Sequence, residues 1–179
     1  MRSVAIALLV TLAACDRAPE SPAAPQRAEG WLEFEGSWNA TGSRRIVALG
    51  AERRAAIVNL GGTLLLKGPS RPGVGFRAEI IGMSDTASGF VGRAAWTDER
   101  GEQIFSELRG EGTATGNRIT GTFFGGTGRY AGATGGYEFS WQYVLESEEG
   151  SVQGRAVGLK GRVRAGSQAS TPPVQGGKP

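Results

Sequence analysis

The sequence has 179 residues, no histidine and a single cysteine. Without imidazole, a Ser-His-Asp triad and any zinc site with histidine ligands are excluded, and one cysteine excludes an intrachain disulfide. A surplus of one charge is lacking too. Lys plus Arg number 20 and Asp plus Glu 17, a formal net charge of +3. The two signs are interspersed, as in Glu52-Arg53-Arg54 and Asp98-Glu99-Arg100. A nucleic-acid partner needs a basic footprint, and none is visible. No apolar run approaches the roughly 20 residues of a membrane-spanning helix. No stretch carries the 3.6-residue period of a convincing amphipathic helix. No metal site and no cofactor are expected. Glycine, by contrast, is abundant: 30 of 179 residues, far above a usual share of about 7%. There is no collagen-like period, so these glycines serve turns, bulges or tight backbone contacts.

The N-terminus carries an address. Met1-Arg2 is a short positive start, and the apolar run Val4–Ala14 has the length of a secretory h-region. It ends Leu12-Ala13-Ala14-Cys15, and Cys15 is the chain's one cysteine. This ending resembles the lipobox of bacterial lipoproteins: an aliphatic residue, two small ones, then cysteine. The resemblance implies cleavage before Cys15, lipidation of its sulfur, and a chain anchored in the bacterial cell envelope facing the periplasm. Asp16 resembles an inner-membrane retention signal. An ordinary signal peptide cut nearby is the plainer alternative. Pro19, Pro22 and Pro25 exclude a helix between residues 15 and 29 and leave a flexible tether. Residues 166–179, with Pro172-Pro173 and Gly176-Gly177, read as a disordered tail. Between the two lies a domain over 30–165, long enough for one core.

Within that domain the period is two. Tyr137, Phe139, Trp141 and Tyr143 share one face, with Glu138, Ser140 and Gln142 opposite. Leu32, Phe34 and Trp38 form another face, as do Phe76, Ala78 and Ile80, and Phe90, Ala94 and Trp96. Turn signals such as Lys67-Gly68-Pro69, Glu99-Arg100-Gly101, Thr115-Gly116-Asn117 and Glu148-Glu149-Gly150 separate these runs. The pattern predicts strands near 31–41, 45–49, 55–66, 74–83, 89–98, 102–114, 117–125 and 136–146, with a ninth at 152–164. A Gly61-Gly62 bend is expected in the third. Short hairpins in series predict an all-β, antiparallel, up-and-down barrel of eight or nine strands, whose closure removes exposed edges. Gly82, Gly92, Gly110, Gly112, Gly121, Gly154, Gly158 and Gly161 are candidates for its bends and bulges. An open β-sandwich is the alternative.

One segment carries a family resemblance: Phe124-Gly125-Gly126-Thr127-Gly128-Arg129-Tyr130-Ala131-Gly132-Ala133-Thr134-Gly135. A phosphate-cradling loop is excluded, because a strand rather than a helix follows and the lysine is missing. The segment resembles the Gly-Gly-Thr-Gly-aromatic-Ala-Gly-Ala-x-Gly signature of the allene oxide cyclase-like and dirigent-like β-barrels. Gly126 and Gly128 would permit positive φ, while Tyr130 and Ala133 would plug a barrel end. The resemblance implies an eight-stranded barrel with a mostly apolar cavity, often assembled as a trimer. Some such proteins are cyclases or guide stereochemistry. No catalytic residue of the family can be matched, so none is transferred.

Carboxylates, arginine, tyrosine and amides remain for chemistry. Glu107, Arg109 and Glu111 share a strand face. Facing the lumen, Glu107 or Glu111 would be a candidate acid or base; facing water, the three form a solvated charge ladder, the commoner case. Trp38, Trp96, Phe123, Tyr137, Phe139, Trp141 and Tyr143 either line an apolar ligand pocket or fill the barrel as core. Phe123 and Phe124 are adjacent, so one of them points outward, where it would suit an oligomer interface.

Three functions stay open. The first is a non-catalytic, membrane-anchored barrel that binds an apolar small molecule or an envelope protein. The second is an isomerase or cyclase acting on an apolar substrate. The third is a structural accessory subunit, homotrimeric or docked to an envelope partner. The reading leans away from an enzyme.

Overall fold

The computed structural model describes residues 30–113 and 116–166. The signal segment, Cys15, the tether and the tail beyond Gly166 lie outside the described residues, and so does Thr115 of one expected turn. Eight strands follow in chain order: β1 (Leu32–Ala48), β2 (Arg54–Lys67), β3 (Gly75–Asp85), β4 (Gly89–Thr97), β5 (Gln103–Thr113), β6 (Gly116–Gly126), β7 (Thr134–Glu146) and β8 (Ser151–Arg164). A single 3-10 turn, Gly128–Tyr130, stands between β6 and β7. Each strand pairs antiparallel with the next, and β8 returns to β1, so the sheet closes into a barrel. Every strand therefore has a neighbour on both sides and no edge remains. The closed form displaces the open-sandwich alternative.

Two expectations about strands need correction. The segments expected at 31–41 and 45–49 are one strand, β1, which runs unbroken through Thr41-Gly42-Ser43. Its far half is held by pairing with both β2 and β8, for example Gly42 with Leu60 and with Val152. This leaves eight strands, not nine. Nor does β2 bend at Gly61-Gly62, which pair in register with Thr41 and Ala40. Gly62 is needed for closeness: a Cβ there would strike the Asn39 carbonyl, and one on Gly42 the Asn59 carbonyl.

The barrel is filled by alternate side chains. Phe34, Trp38 and Ala40 of β1, Ala56, Val58, Leu60, Leu64 and Leu66 of β2, and Tyr137, Phe139 and Trp141 of β7 are all buried, while their chain neighbours turn outward. Large rings dominate this interior, and they need space on the adjoining strand. Several strand glycines supply it. The Phe90 ring lies against Gly82 and Gly92, which are themselves register partners; Tyr137 lies on Gly121, and Trp141 on Gly154. Gly82, Gly92, Gly121 and Gly154, expected at bends or bulges, serve as seats for rings, whereas Gly110 adjoins the Ile119 side chain and Gly112 that of Asn117. Gly158 keeps the expected role, with φ 65° where β8 carries its extra residue against β1 and β7.

Candidate functional site

One end of the barrel is sealed. The chain leaving β6 turns inward at Gly128 (φ 52°), forms the 3-10 turn, and turns again at Gly132 (φ 67°), two conformations that favour glycine. The turn delivers Tyr130 and Ala133 into the barrel end, where both are buried. Gly126 is not in a positive-φ conformation. It is required because a Cβ there would meet the Gln103 carbonyl and Tyr130. Thr127 and Gln103 exchange two hydrogen bonds: the Thr127 N–H donates to the Gln103 carbonyl at 2.8 Å, and the Gln103 N–H donates to Thr127 Oγ1 at 2.8 Å.

A buried carboxylate fastens this plug. Asp98, with its side chain fully covered, accepts hydrogen bonds from the backbone N–H groups of Arg100 (2.8 Å) and Glu102 (2.9 Å) and pairs with Arg129. Arg129 also reaches Glu99 at 3.3 Å and Glu102 at 3.4 Å, and its guanidinium sits over the Tyr130 ring. Burial opposes ionisation of Asp98, but the two backbone donors and Arg129 outweigh it and hold the carboxyl below its usual range. Desolvation pushes the Tyr130 phenol up. The remaining motif glycines, Gly125 and Gly135, lie at the ends of β6 and β7 flanking the plug.

Above the plug lies a packed aromatic tier. Trp96 meets Tyr137 at 4.6 Å between centroids, Phe123 at 5.2 Å and Phe34 at 5.9 Å, and Phe76 bridges Trp96 to Tyr130. Tyr137 makes a hydroxyl–hydroxyl hydrogen bond of 2.8 Å with buried Ser106, and burial pushes its phenol up.

The opposite end is open and holds a cavity of about 720 Å³, within the roughly 300–1,000 Å³ of small-molecule sites. Its wall is apolar: Trp38, Val58, Leu60, Ile80, Phe90, Leu108, Ile119, Phe139 and Trp141. Trp38 and Trp141 lie 5.1 Å apart between centroids, with Phe139 edge-on to Trp38. Trp38 Nε1 is buried and has no hydrogen-bond partner among the described residues. A buried donor in that state costs about 1–3 kcal/mol unless something accepts from it. Polar groups gather only at the mouth. Arg44 pairs with Glu146 at 2.8 Å and lies over the Tyr143 ring; Arg54, Ser84, Asp85, Thr86, Ser88, Glu111 and Asn117 also border the cavity. Desolvation pushes the Tyr143 phenol up, against the pull of Arg44.

The aromatic residues singled out in the sequence therefore separate by height along the barrel. Trp38, Phe139, Trp141 and Tyr143 border the cavity, Tyr143 at the half-open mouth, whereas Trp96, Phe123 and Tyr137 belong to the packed tier below. The two alternatives, pocket wall and packed core, thus divide the set by height. Glu107 points outward and pairs with Arg93 at 2.9 Å on the neighbouring strand. Glu111 is exposed at the outer edge of the mouth, opposite Arg118 in the ladder. Neither is the lumen-facing carboxylate that the enzymatic reading required, because the inward positions of β5 are Ile104, Ser106, Leu108 and Gly110. Phe123 is buried and Phe124 is outward, 57% exposed and stacked on Phe105.

Arg44 and Arg54 were not singled out from the sequence. The signal was parity: Trp38, Ala40, Gly42 and Arg44 continue one inward series, and Leu60, Val58, Ala56 and Arg54 another.

No protein-family model matches the chain, and no curated protein matches it. Among solved structures the chain is similar to a pterocarpan synthase dirigent protein, at 15% sequence identity and a TM-score of 0.42, over 75% of this chain and 92% of that one.

Proposed function

We propose that this protein is a non-catalytic binding barrel that holds one apolar small molecule in its open end. The observation that carries the reading is the cavity itself: about 720 Å³, walled by Trp38, Leu60, Ile80, Phe90, Phe139 and Trp141, beneath a polar rim. The unpartnered Trp38 indole N–H favours a ligand that carries a hydrogen-bond acceptor. Among the described residues no inward position of this wall carries a carboxylate; the acids that border it, Asp85 and Glu111, stand on outward positions of β3 and β5, and Asp85 is engaged by Arg53. That arrangement suits holding a molecule better than acid–base work on it. The lipobox-like ending at Cys15 supports display of the barrel from a bacterial envelope membrane, facing the periplasm, and Asp16 favours the inner membrane.

The test is titration with the neutral dye N-phenyl-1-naphthylamine, followed by its fluorescence. One dye per chain should bind, and Ala56→Trp, which places an indole in the cavity wall, should abolish binding without unfolding the barrel. Failure of the dye to bind the wild-type chain would overturn the reading.

A second reading is favoured by the outer surface. Ile57, Met83 and Val91 lie side by side across β2, β3 and β4, all exposed, with exposed Ile81 beside them. Such an outward apolar row suits a protein partner, a homotrimer included. Light scattering that shows a monomer, together with no change in assembly for Met83→Ser, would count against it.

A further inference from the structure

Four charged residues border the cavity, and they differ in the way they face: the arginines stand on inward positions and the acids, Asp85 and Glu111, on outward ones. Two arginines belong to its inward-facing series, Arg44 from β1 and Arg54 from β2. The acids nearby are already committed or turned away. Asp85 is held by Arg53 through a forked pair at 2.7–3.2 Å and accepts from the Ala87 N–H at 2.8 Å. Glu111 borders the cavity from an outward position of β5, with Arg118 its partner in the ladder register. Glu146 neutralises Arg44, but through one terminal nitrogen, so that Arg44 Nε remains buried without a partner. Arg54 makes no ion pair among the described residues; its backbone N–H donates to Thr86 Oγ1 at 3.2 Å, which anchors the β2 start and leaves the guanidinium free at the rim. An apolar well capped by an uncommitted guanidinium and an orphaned guanidinium N–H is complementary to a molecule with an apolar body and an anionic end.

We infer that the ligand of this cavity is an apolar oxyanion, such as a carboxylate or sulfonate, whose body lies against Trp38, Phe139 and Trp141 and whose charged group is held at the mouth by Arg54 and Arg44. This rests on the binding reading above and adds the ligand's charge. The guanidinium groups stand at a rim reached by solvent, so the contact is screened by salt but gains from the low-dielectric wall beneath it.

Two dyes with the same ring skeleton isolate the charge. N-phenyl-1-naphthylamine is neutral, and 8-anilinonaphthalene-1-sulfonate is that molecule with a sulfonate added. The wild-type chain should bind the sulfonate form about tenfold more tightly, the value of one charge-assisted contact. Arg54→Gln should weaken the sulfonate form far more than the neutral dye and so remove most of that preference. Arg54 is an exposed residue at the first position of β2, so the fold should survive; unchanged far-UV circular dichroism and Trp fluorescence verify it. Ala56→Trp should remove binding of both dyes and so locate it. Equal affinity for the two dyes in the wild-type chain would overturn the inference and leave the cavity reading standing. A preference that persists in both Arg54→Gln and Arg44→Gln would also overturn it, since the anion would then sit elsewhere. Failure of both dyes to bind would overturn the cavity reading and this inference together.

Discussion

Gly121→Ala should destabilise the barrel, although alanine is intrinsically the better strand residue. Relative to glycine, alanine in a strand interior gains about 0.5–1 kcal/mol. The structure turns that gain into a loss. All the nearest atoms to a Cβ at Gly121 belong to the Tyr137 ring. The ring has nowhere to retreat, with Trp96 at 4.6 Å, Phe123 at 5.1 Å and Phe139 stacked at 6.2 Å between centroids. Forcing a methyl group into a packed interior costs about 1–3 kcal/mol. Displacing the ring also breaks the Ser106–Tyr137 hydrogen bond and leaves buried Ser106 unsatisfied, at a further cost of about 1–3 kcal/mol. The net expectation is a loss of about 3 kcal/mol. Urea unfolding monitored by Trp fluorescence measures it as a drop in midpoint at constant slope. A double-mutant cycle with Tyr137→Leu makes the reasoning specific: without the ring, Gly121→Ala should cost less than about 0.5 kcal/mol, so the coupling should be about 2 kcal/mol or more. A neutral or stabilising Gly121→Ala, or an equal loss in both backgrounds, would refute the ring-seat account.

Other predictions follow from the plug, the cavity wall and the N-terminus. Asp98→Asn should cost about 1.5–3 kcal/mol through loss of its charge-assisted bonds. The Asp98 carboxyl lies below its ordinary range in the folded chain, so its stabilisation is complete above about pH 4 and is lost as the pH falls further. Urea midpoints should therefore fall more steeply in acid for the wild-type chain than for the variant, and parallel curves would contradict this. Trp38→Phe removes the indole N–H but keeps most of the packing; it should weaken ligands that carry an acceptor oxygen several-fold and leave a hydrocarbon of the same shape unchanged, as read by competitive titration. Cys15→Ser should move the chain from the membrane fraction to the soluble fraction, and retention in the membrane fraction would refute the lipid anchor.

The fold was legible where side chains alternate between oil and water. The Tyr137-to-Tyr143 run predicts a strand because each inward ring is separated by an outward polar residue, and the structure buries three of the four. In sequence β1 divides into two strands because Thr41, Gly42 and Ser43 break that alternation. They lie where the barrel opens and both faces meet water, so hydrogen bonding to β2 and β8, not burial, maintains the strand. The cavity was harder to place because period two reports which way a side chain points and not how far along the barrel it sits. Trp96 and Trp141 look alike in sequence, yet one lies in the packed tier and the other borders the cavity. The ring seats were illegible for a related reason. Gly121 and Tyr137 are matched across strands, and that requires the register. Glu107 and Glu111 were ambiguous by nature, since a charged face reads the same whether it lines a lumen or a surface; Leu108, which shares the inward series with Ile104 and Ser106, decides it.

The central claim is that the open end holds one apolar molecule. Native mass spectrometry of the full chain, purified gently from its own cells, tests it most directly. The account predicts a population heavier than the bare protein by one small molecule, absent from Ala56→Trp and released as a species with an apolar body and an anionic group. A single bare mass for the wild-type chain, unchanged when apolar anions are added in excess, would contradict it.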